Sequence, residues 1–364
     1  MTDWPVKTLG DLMTVQNGYA FDSQFFSSDG NIGLIRIRDL KSGTDTETRY
    51  RGQYDDDYVV SPGDYLIGMD GEFRCYEWQG EPALLNQRVC RLRGFDKSLE
   101  SRFLFYGINK FLKEIEDVTG YTTVKHLSSK SILAIEMPVP PLGEQKRIVE
   151  RLDAATARLT ELTACYEQAR THADNLFTSA LRAALEGNSD WPVKTLDDLC
   201  DIYQPQTIGM KDLIADGKYI VYGANGPIGR YDRFNHEKSE VTVTCRGATC
   251  GTVNVTPPEV WITGNAMVVR PNEMKMSKEM MRYVLEGLDY SQIITGAAQP
   301  QITRQTLAPS TIKVPPLEEQ KKIVAHLDSM RAKTSEMVAA YDAKLTAAKN
   351  LRQSILEAAF AGDL

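Results

Sequence analysis

The chain has 364 residues, 42% of them hydrophobic, enough for one large domain or two to three ordinary ones with real cores, which excludes disorder as the main state. Its 42 basic and 49 acidic side chains leave a net charge of −7, not the footprint of a protein that holds nucleic acid by bulk charge. Six cysteines and no basic-then-apolar leader over residues 1–12 set the expectation of reduced thiols in a cytoplasmic protein, and no apolar run reaches the length of a membrane helix.

The chain opens on Asp3-Trp4-Pro5-Val6-Lys7-Thr8-Leu9, which recurs residue for residue as Asp190-Trp191-Pro192-Val193-Lys194-Thr195-Leu196, an offset of 187. Short β-branched or alternating stretches follow, Ile32–Arg38 and Tyr65–Met69 in the first copy, Val241–Cys245 and Ala266–Val269 in the second, punctuated by Gly, Asp, Asn and Pro. In the first of these, Arg36 and Arg38 alternate with Ile35 and Ile37, so a strand there has one core face and one arginine face. Helical stretches are expected over Leu99–Val118 and Ser277–Gly287. Each half therefore reads as α+β with a β-rich core.

Val139-Pro140-Pro141-Leu142 with Glu144-Gln145-Lys146 closes the first half and returns as Val314-Pro315-Pro316-Leu317 with Glu319-Gln320-Lys321, an offset of 175. The globular part of the first copy is thus 12 residues longer than that of the second. A period this long is domain duplication, since solenoid repeats run roughly 20 to 50 residues. After each Pro-Pro, which suits a helix entry, apolar or small residues recur at 4-3 spacing over about forty residues. The seam expected in the first copy contains Ile148, Leu152, Leu159, Leu162, Tyr166 and Leu176; the second has Ile323, Leu327, Met330, Met337, Tyr341, Leu351 and Ile355. Such a seam needs a partner helix, and pairing within the chain is the economical choice, with pairing between chains the alternative. At ~1.5 Å per residue the rod would be roughly 60 Å long. The expected order is 1–141 globular, 142–186 helical, 187–316 globular and 317–364 helical.

Motifs for catalysis are wanting. Gly223-Ala224-Asn225-Gly226-Pro227-Ile228-Gly229 lacks the Lys and Ser/Thr of a phosphate loop and reads as a tight turn; no dinucleotide fingerprint and no Asn-Pro-Pro-Tyr motif occurs. Cys245 and Cys250, with Cys200 and His236 elsewhere, match zinc spacing poorly, so buried thiols are expected and no metal. Asp64, Asp70 and Glu72 lack the lysine a nuclease would place near them and read as acidic turn residues. Four histidines, His126, His172, His236 and His326, leave little material for a nucleophile and base pair. The residues describe a binder, with no catalytic residue assigned.

Two tandem halves, each opened by Trp-Pro-x-x-x-Leu and closed by Pro-Pro-Leu-x-Glu-Gln, with Asn350-Leu351 and Ala358-Ala359-Phe360-Ala361-Gly362-Asp363-Leu364 at the end, resemble the specificity subunit of a type I restriction-modification enzyme over essentially the whole chain. Gln16–Phe21, Ile35–Leu40, Tyr222–Gly229 and Thr295–Ile302 are further family-like pieces; the counterpart of the last, Thr119–Leu127, does not share its glutamines. The resemblance implies that each half is a target recognition domain reading one part of a bipartite double-stranded DNA site. It implies that the helices pair as an antiparallel coiled coil that sets the gap and docks two adenine-modifying subunits, which would carry S-adenosylmethionine, with restriction subunits joining later and no cofactor in this chain. A non-catalytic scaffold whose halves bind protein is the alternative.

Groove chemistry, Arg or Lys to guanine and Asn or Gln to adenine, nominates readers. In the first half these are Tyr19, Arg36, Arg38, Lys41, Arg74, Lys125 and His126; in the second, Tyr222, Asn225, Arg230, Arg246, Thr249, Gln299, Gln301 and Arg304. For any one of them an ordinary surface or turn role has equal standing. The acidity is local: residues 1–141 carry 16 basic and 21 acidic groups, and Asp45, Glu47, Asp55, Asp56 and Asp57 crowd the first copy's extra length. Arg36, Arg38, Arg74, Arg88 and Arg91 would still form a basic face there.

Overall fold

In the computed structural model, residues 4–118, 126–296 and 299–363 are described. They form two compact units, Met1–Ala164 with Leu345–Leu364, and Cys165–Lys344. Each unit thus takes one globular segment and parts of both long helices, because the end of each helix packs on the globular segment of the other copy.

The two units repeat one architecture among the described residues. The opening motif forms an edge strand that pairs antiparallel with the strand just before Pro-Pro, Val6–Thr8 with Glu136–Pro138 and Val193–Thr195 with Thr311–Lys313. A four-stranded antiparallel sheet follows, in the order Thr14–Asn17, Val89–Arg93, Tyr65–Gly68, Cys75–Glu77 in the first unit. In the second the order is Cys200–Tyr203, Ala266–Pro271, Val241–Thr244, Val253–Val255. The helix Ser101–Val118 or Lys278–Glu286 covers one face, burying Phe103, Leu104 and Ile108 or Met280, Met281 and Leu285 in the main cores. These helices stand close to the stretches Leu99–Val118 and Ser277–Gly287 expected for them.

A second sheet contains one parallel pair in each unit, Ile32–Ile35 with Ala83–Leu85 and Tyr219–Tyr222 with Trp261–Ile262. In the first unit this sheet also carries the strands Phe26–Ser27 and Val59–Val60 at its edges, making five strands against three. The expected strand through Arg38 ends at Ile35; Ile37–Asp39 is a 3-10 turn, because the Asp39 carboxylate accepts from the Arg36 N–H at 2.8 Å and the Thr46 hydroxyl at 2.9 Å. Arg36 and Arg38 consequently do not share a strand face.

Each long helix, Leu142–Glu186 and Leu317–Ala361, has 45 residues. They pair antiparallel. In the first unit Ile148 and Leu152 pack with Ile355, Leu356, Ala359 and Phe360. In the second, Tyr166 meets Tyr341 with ring centroids 6.2 Å apart, Arg170 bonds Asp342 at 2.7 Å, and Phe177 and Leu181 cluster with Ile323 and Leu327. Leu159 and Met330 are half-buried on the same line. The heptad seam, however, is corrected at four places. Leu162, Leu176, Met337 and Leu351 are 41%, 47%, 40% and 50% exposed, while Thr163, Phe177 and Val338 are more buried than the neighbours that 4-3 spacing selects. A helix of 3.6 residues per turn drifts about 20° per heptad from a strict 3.5 repeat, so over 45 residues the buried line slips by one position.

The Pro-Pro-Leu-x-Glu-Gln motif ties this pair to the sheets. Gln145, fully buried, accepts from the Glu100 N–H at 2.8 Å and donates to the Ser98 and Pro140 carbonyls at 2.9 and 2.8 Å. Gln320 repeats the arrangement with the Ser277 N–H, Lys275 carbonyl and Pro315 carbonyl, each at 2.9 Å. One amide side chain thereby satisfies an N–H at the start of the domain helix and two carbonyls that no helix or sheet takes up. Replacing Gln320 by Leu strands three buried polar groups at about 1–3 kcal/mol each. Urea unfolding of Gln320→Leu is expected to show a loss of at least ~3 kcal/mol, against near zero for the exposed Lys322→Gln.

Candidate nucleic-acid interface

In each unit the loops that leave the two sheets converge on one edge, held there mainly by backbone bonds. In the second unit Cys245 N–H donates to the Asn265 carbonyl at 3.1 Å, Ile302 N–H to the Cys245 carbonyl at 3.0 Å and Gly247 N–H to the Pro300 carbonyl at 3.0 Å. The Thr244 hydroxyl adds a bond to the Ala224 carbonyl at 2.6 Å, drawing in the loop after Tyr222. In the first unit Met69 N–H donates to the Arg88 carbonyl at 3.0 Å, Leu127 N–H to the Met69 carbonyl at 2.8 Å and Tyr19 N–H to the Leu85 carbonyl at 2.9 Å. The matching bonds make Asp70 the counterpart of Arg246, His126 of Gln301 and Arg88 of Asn265. Asp70 bridges to His126 as Arg246 bridges to Gln301.

On the second unit's edge stand Asn225, Arg246, Thr249, Gln299 and Gln301, all exposed. Asn225 accepts from the Asn254 amide at 3.0 Å, which orients its own amide. Gln301 is pinned by reciprocal backbone bonds to Thr295 at 2.9 Å, leaving its side chain outward. Of the Gly223–Gly229 stretch, Gly223–Gly226 is the tight turn between Tyr219–Tyr222 and the strand Pro227–Tyr231, closed by Gly223 N–H on the Gly226 carbonyl at 2.7 Å with Gly226 at φ 134°. Three nominated residues do other work. Tyr222 is 7% exposed and packs with Val260, Ile262 and Val268, because its strand has neighbours on both sides. Arg230 bonds the Gly217 and Lys218 carbonyls at 2.5 and 2.9 Å, as Arg49 bonds Gly30 and Asn31 in the first unit, a clasp that recurs with the duplication. Arg304 pairs with Asp197 at 2.5 Å.

On the first unit's edge Tyr19 is 52% exposed and leans on Phe21 and Tyr58 at ring centroid distances of 5.1 and 5.2 Å. Arg74 lies over the Tyr76 ring, and His126 Nδ1 is 2.8 Å from Asp70 Oδ1. Arg36 follows Ile35, which pairs with Leu85 in parallel strands, so it emerges beside Asn86 at the same edge. Arg38 reaches back to Thr48 at 3.2 Å, Lys41 is exposed in the loop beyond, and Lys125 lies outside the described residues.

Arg91 does not belong to a basic face. It is 8% exposed and bonds the Val59 and Asp57 carbonyls, both at 2.7 Å, and Asp64 at 3.0 Å, while Gln16 accepts from it at 2.6 Å. Arg93 adds Asp57 at 2.7 Å, which holds that carboxyl below its ordinary range. The acidic insert is therefore stapled to the sheet by arginines from the sheet itself, and Gln16 is part of that staple. Arg88 and Asn265 were not nominated; the offset that aligns the two copies is the signal that finds them.

Of the thiols, Cys75, Cys90 and Cys245 are buried, Cys200 and Cys250, expected to be buried, are half-exposed, and Cys165 is exposed. Burial pushes Cys90 and Cys200 up to about 12 and Cys75 well above its ordinary value. His236 is 6% exposed, with Tyr203 and Asn235 at 2.9 and 2.6 Å. Among the described residues no three His, Cys, Asp or Glu side chains are grouped to hold a metal ion, and no helix is long and apolar enough to cross a membrane.

Residues 1–169 and 188–347 match the family model of the type I restriction modification DNA specificity domain. The chain belongs to the type I restriction-modification DNA specificity family. The specificity subunit of the type I restriction enzyme EcoBI from Escherichia coli is 29% identical, over 99% of this chain and 86% of its own length. Among solved structures, a chain of a type I restriction-modification system matches with a TM-score of 0.77 at 21% identity, covering 99% of this chain and 98% of that one. The HsdS subunit from Thermoanaerobacter tengcongensis matches at 0.56 and 20%, covering 100% and 98%. The specificity family thus accounts for both copies of the fold.

Burial pushes the His236 imidazole below its ordinary value of 6.5, so the unfolded chain takes up more protons than the folded one as pH falls through that value. The stability held by neutral His236 is full above pH 6.5 and drops below it. Thermal melting at pH 7.5 and ~5.5 is expected to show a smaller pH-dependent loss in His236→Gln than in the parent.

Proposed function

We propose that this chain is the DNA sequence-specificity subunit of a type I restriction-modification complex, each unit reading one part of a bipartite site. The observation that carries this is the repeated edge: one set of backbone bonds presents Asp70, Arg88 and His126 in one unit and Arg246, Asn265 and Gln301 in the other. A common scaffold with different side-chain groups is what reading two different half-sites requires, since base edges in the major groove differ in the order of donors, acceptors and the thymine methyl. The chain acts without catalysis or cofactor of its own, and S-adenosylmethionine belongs on the modification subunits. A cytoplasmic setting accords with duplex DNA as the target.

The paired helices are the gap-setting and docking element of this reading. Leu162 with Leu351 in the first unit, and Leu176 with Met337 in the second, leave half-exposed apolar residues at positions 175 apart. Two equivalent patches suit two copies of one partner, the modification subunit. Restriction subunits would join that assembly. With a net charge of −7 the chain alone would neutralise few phosphates, so affinity would come with the partners.

Methylome sequencing of cells with and without the gene is expected to reveal a bipartite adenine-methylation motif that disappears with it; a methyltransferase complex lacking sequence preference would favour the scaffold alternative. Adding seven residues to each long helix, about 10 Å, is expected to widen the gap by roughly three base pairs and leave both half-sites unchanged. Arg246→Ala is expected to relax one position of one half-site, at a cost of about 1–3 kcal/mol for a guanine contact.

A further inference from the structure

We infer that Asp70 is a positioning residue that holds Arg88 for a guanine in the half-site read by the first unit, with His126 as the second arm of the same reader. The inference rests on the reading of that unit as a DNA reader. Asp70 Oδ2 accepts from Arg88 Nη1 at 3.0 Å and Oδ1 lies 2.8 Å from His126 Nδ1. The carboxylate is 21% exposed while Arg88 and His126 are 59% and 54% exposed, so the anion sits beneath two donors that face outward. With Nη1 engaged, Nε and Nη2 of Arg88 are the pair left for guanine O6 and N7, and neither has a partner among the described residues. His126, whose Nδ1–H faces the carboxylate, keeps Nε2 as an acceptor for a base amino group.

All three residues are placed by main-chain contacts, Met69 on Arg88, Leu127 on Met69 and the Asp70–His126 bridge, so the geometry survives exchange of the side chains. A carboxylate on a face that meets DNA subtracts from phosphate attraction, and what it adds is direction. The second unit provides the contrast. Arg246 occupies the position of Asp70 and has no ion pair or side-chain hydrogen bond among the described residues. One unit therefore reads with an arginine held in advance, the other with one that must be ordered by the DNA, which costs rotamer entropy.

The test is selection from a pool of randomised duplexes by the full chain assembled with its modification subunits, comparing parent, Asp70→Asn, Arg88→Ala and Arg88→Lys, with Arg246→Ala marking the other half-site. The expected result is loss of a G·C preference of roughly 5- to 150-fold at a single position with either Arg88 variant. Asp70→Asn is expected to weaken the same preference partially while binding of random duplex stays equal or rises. An unchanged first half-site in all three variants, or a uniform loss over all sequences, overturns the inference and leaves the specificity function standing. A parent complex that selects no bipartite site overturns both.

Discussion

A buried glutamine at the first turn of each long helix is the contact on which the rest of this molecule depends. Gln145 and Gln320 each satisfy an N–H and two carbonyls where three segments meet: the entry to the domain helix, the Pro-Pro turn and the long helix. A side chain with one acceptor and one two-proton donor, buried and fully used, fixes angles as well as distances. Apolar packing alone would let the helix pair roll on the sheet face, because dispersion and burial carry little directional preference. The glutamine therefore couples the helix pair to the sheet edge, and a change in either is felt by the other.

Around that joint the two units differ only where the chain is free to differ. Asp153 and Asp328, 175 residues apart, each take a tyrosine hydroxyl from the domain helix, and Phe360 closes over Gly107 as Leu185 closes over Gly287. At both glycines a Cβ would lie within 2.5 Å of the tip of the intruding side chain, so a larger residue would push Phe360 or Leu185 aside. The loop edges, by contrast, are held mainly by backbone bonds, with glycine at Gly18 and Gly247 where a close approach or a positive φ calls for it. Side chains there are released from structural duty, which is why an acid, an arginine or a glutamine can occupy equivalent positions without disturbing the fold.

The charge distribution acquires a physical meaning from the same architecture. The acidic insert of the first unit is not a loose repellent loop: Arg91 and Arg93 draw Asp57 and Asp64 onto the sheet. Those two arginines are engaged by the insert, and the outward arginines at the converging edge of that unit include Arg36, Arg74 and Arg88. Attraction for a polyanion is modest, and discrimination rests on a few placed groups.

Duplication, the start of each long helix after Pro-Pro, the β-rich halves and the turn holding Asn225 were legible in the linear chain, because repeats, prolines and apolar period are local properties. Tyr222, Arg230 and Arg91 were not, since a tyrosine or arginine has the same appearance whether it faces solvent, clasps a carbonyl or lies under an insert. Nor could a heptad template foresee that Leu162, Leu176, Met337 and Leu351 would turn outward; helix geometry over 45 residues, not residue type, sets that drift. Sequence by itself determined what is built twice and from which elements. Only the tertiary structure decided that Asp70, Arg88 and His126 share one edge, because hydrogen bonds between residues distant in the chain, from Met69 to Arg88 and from Leu127 to Met69, bring them together.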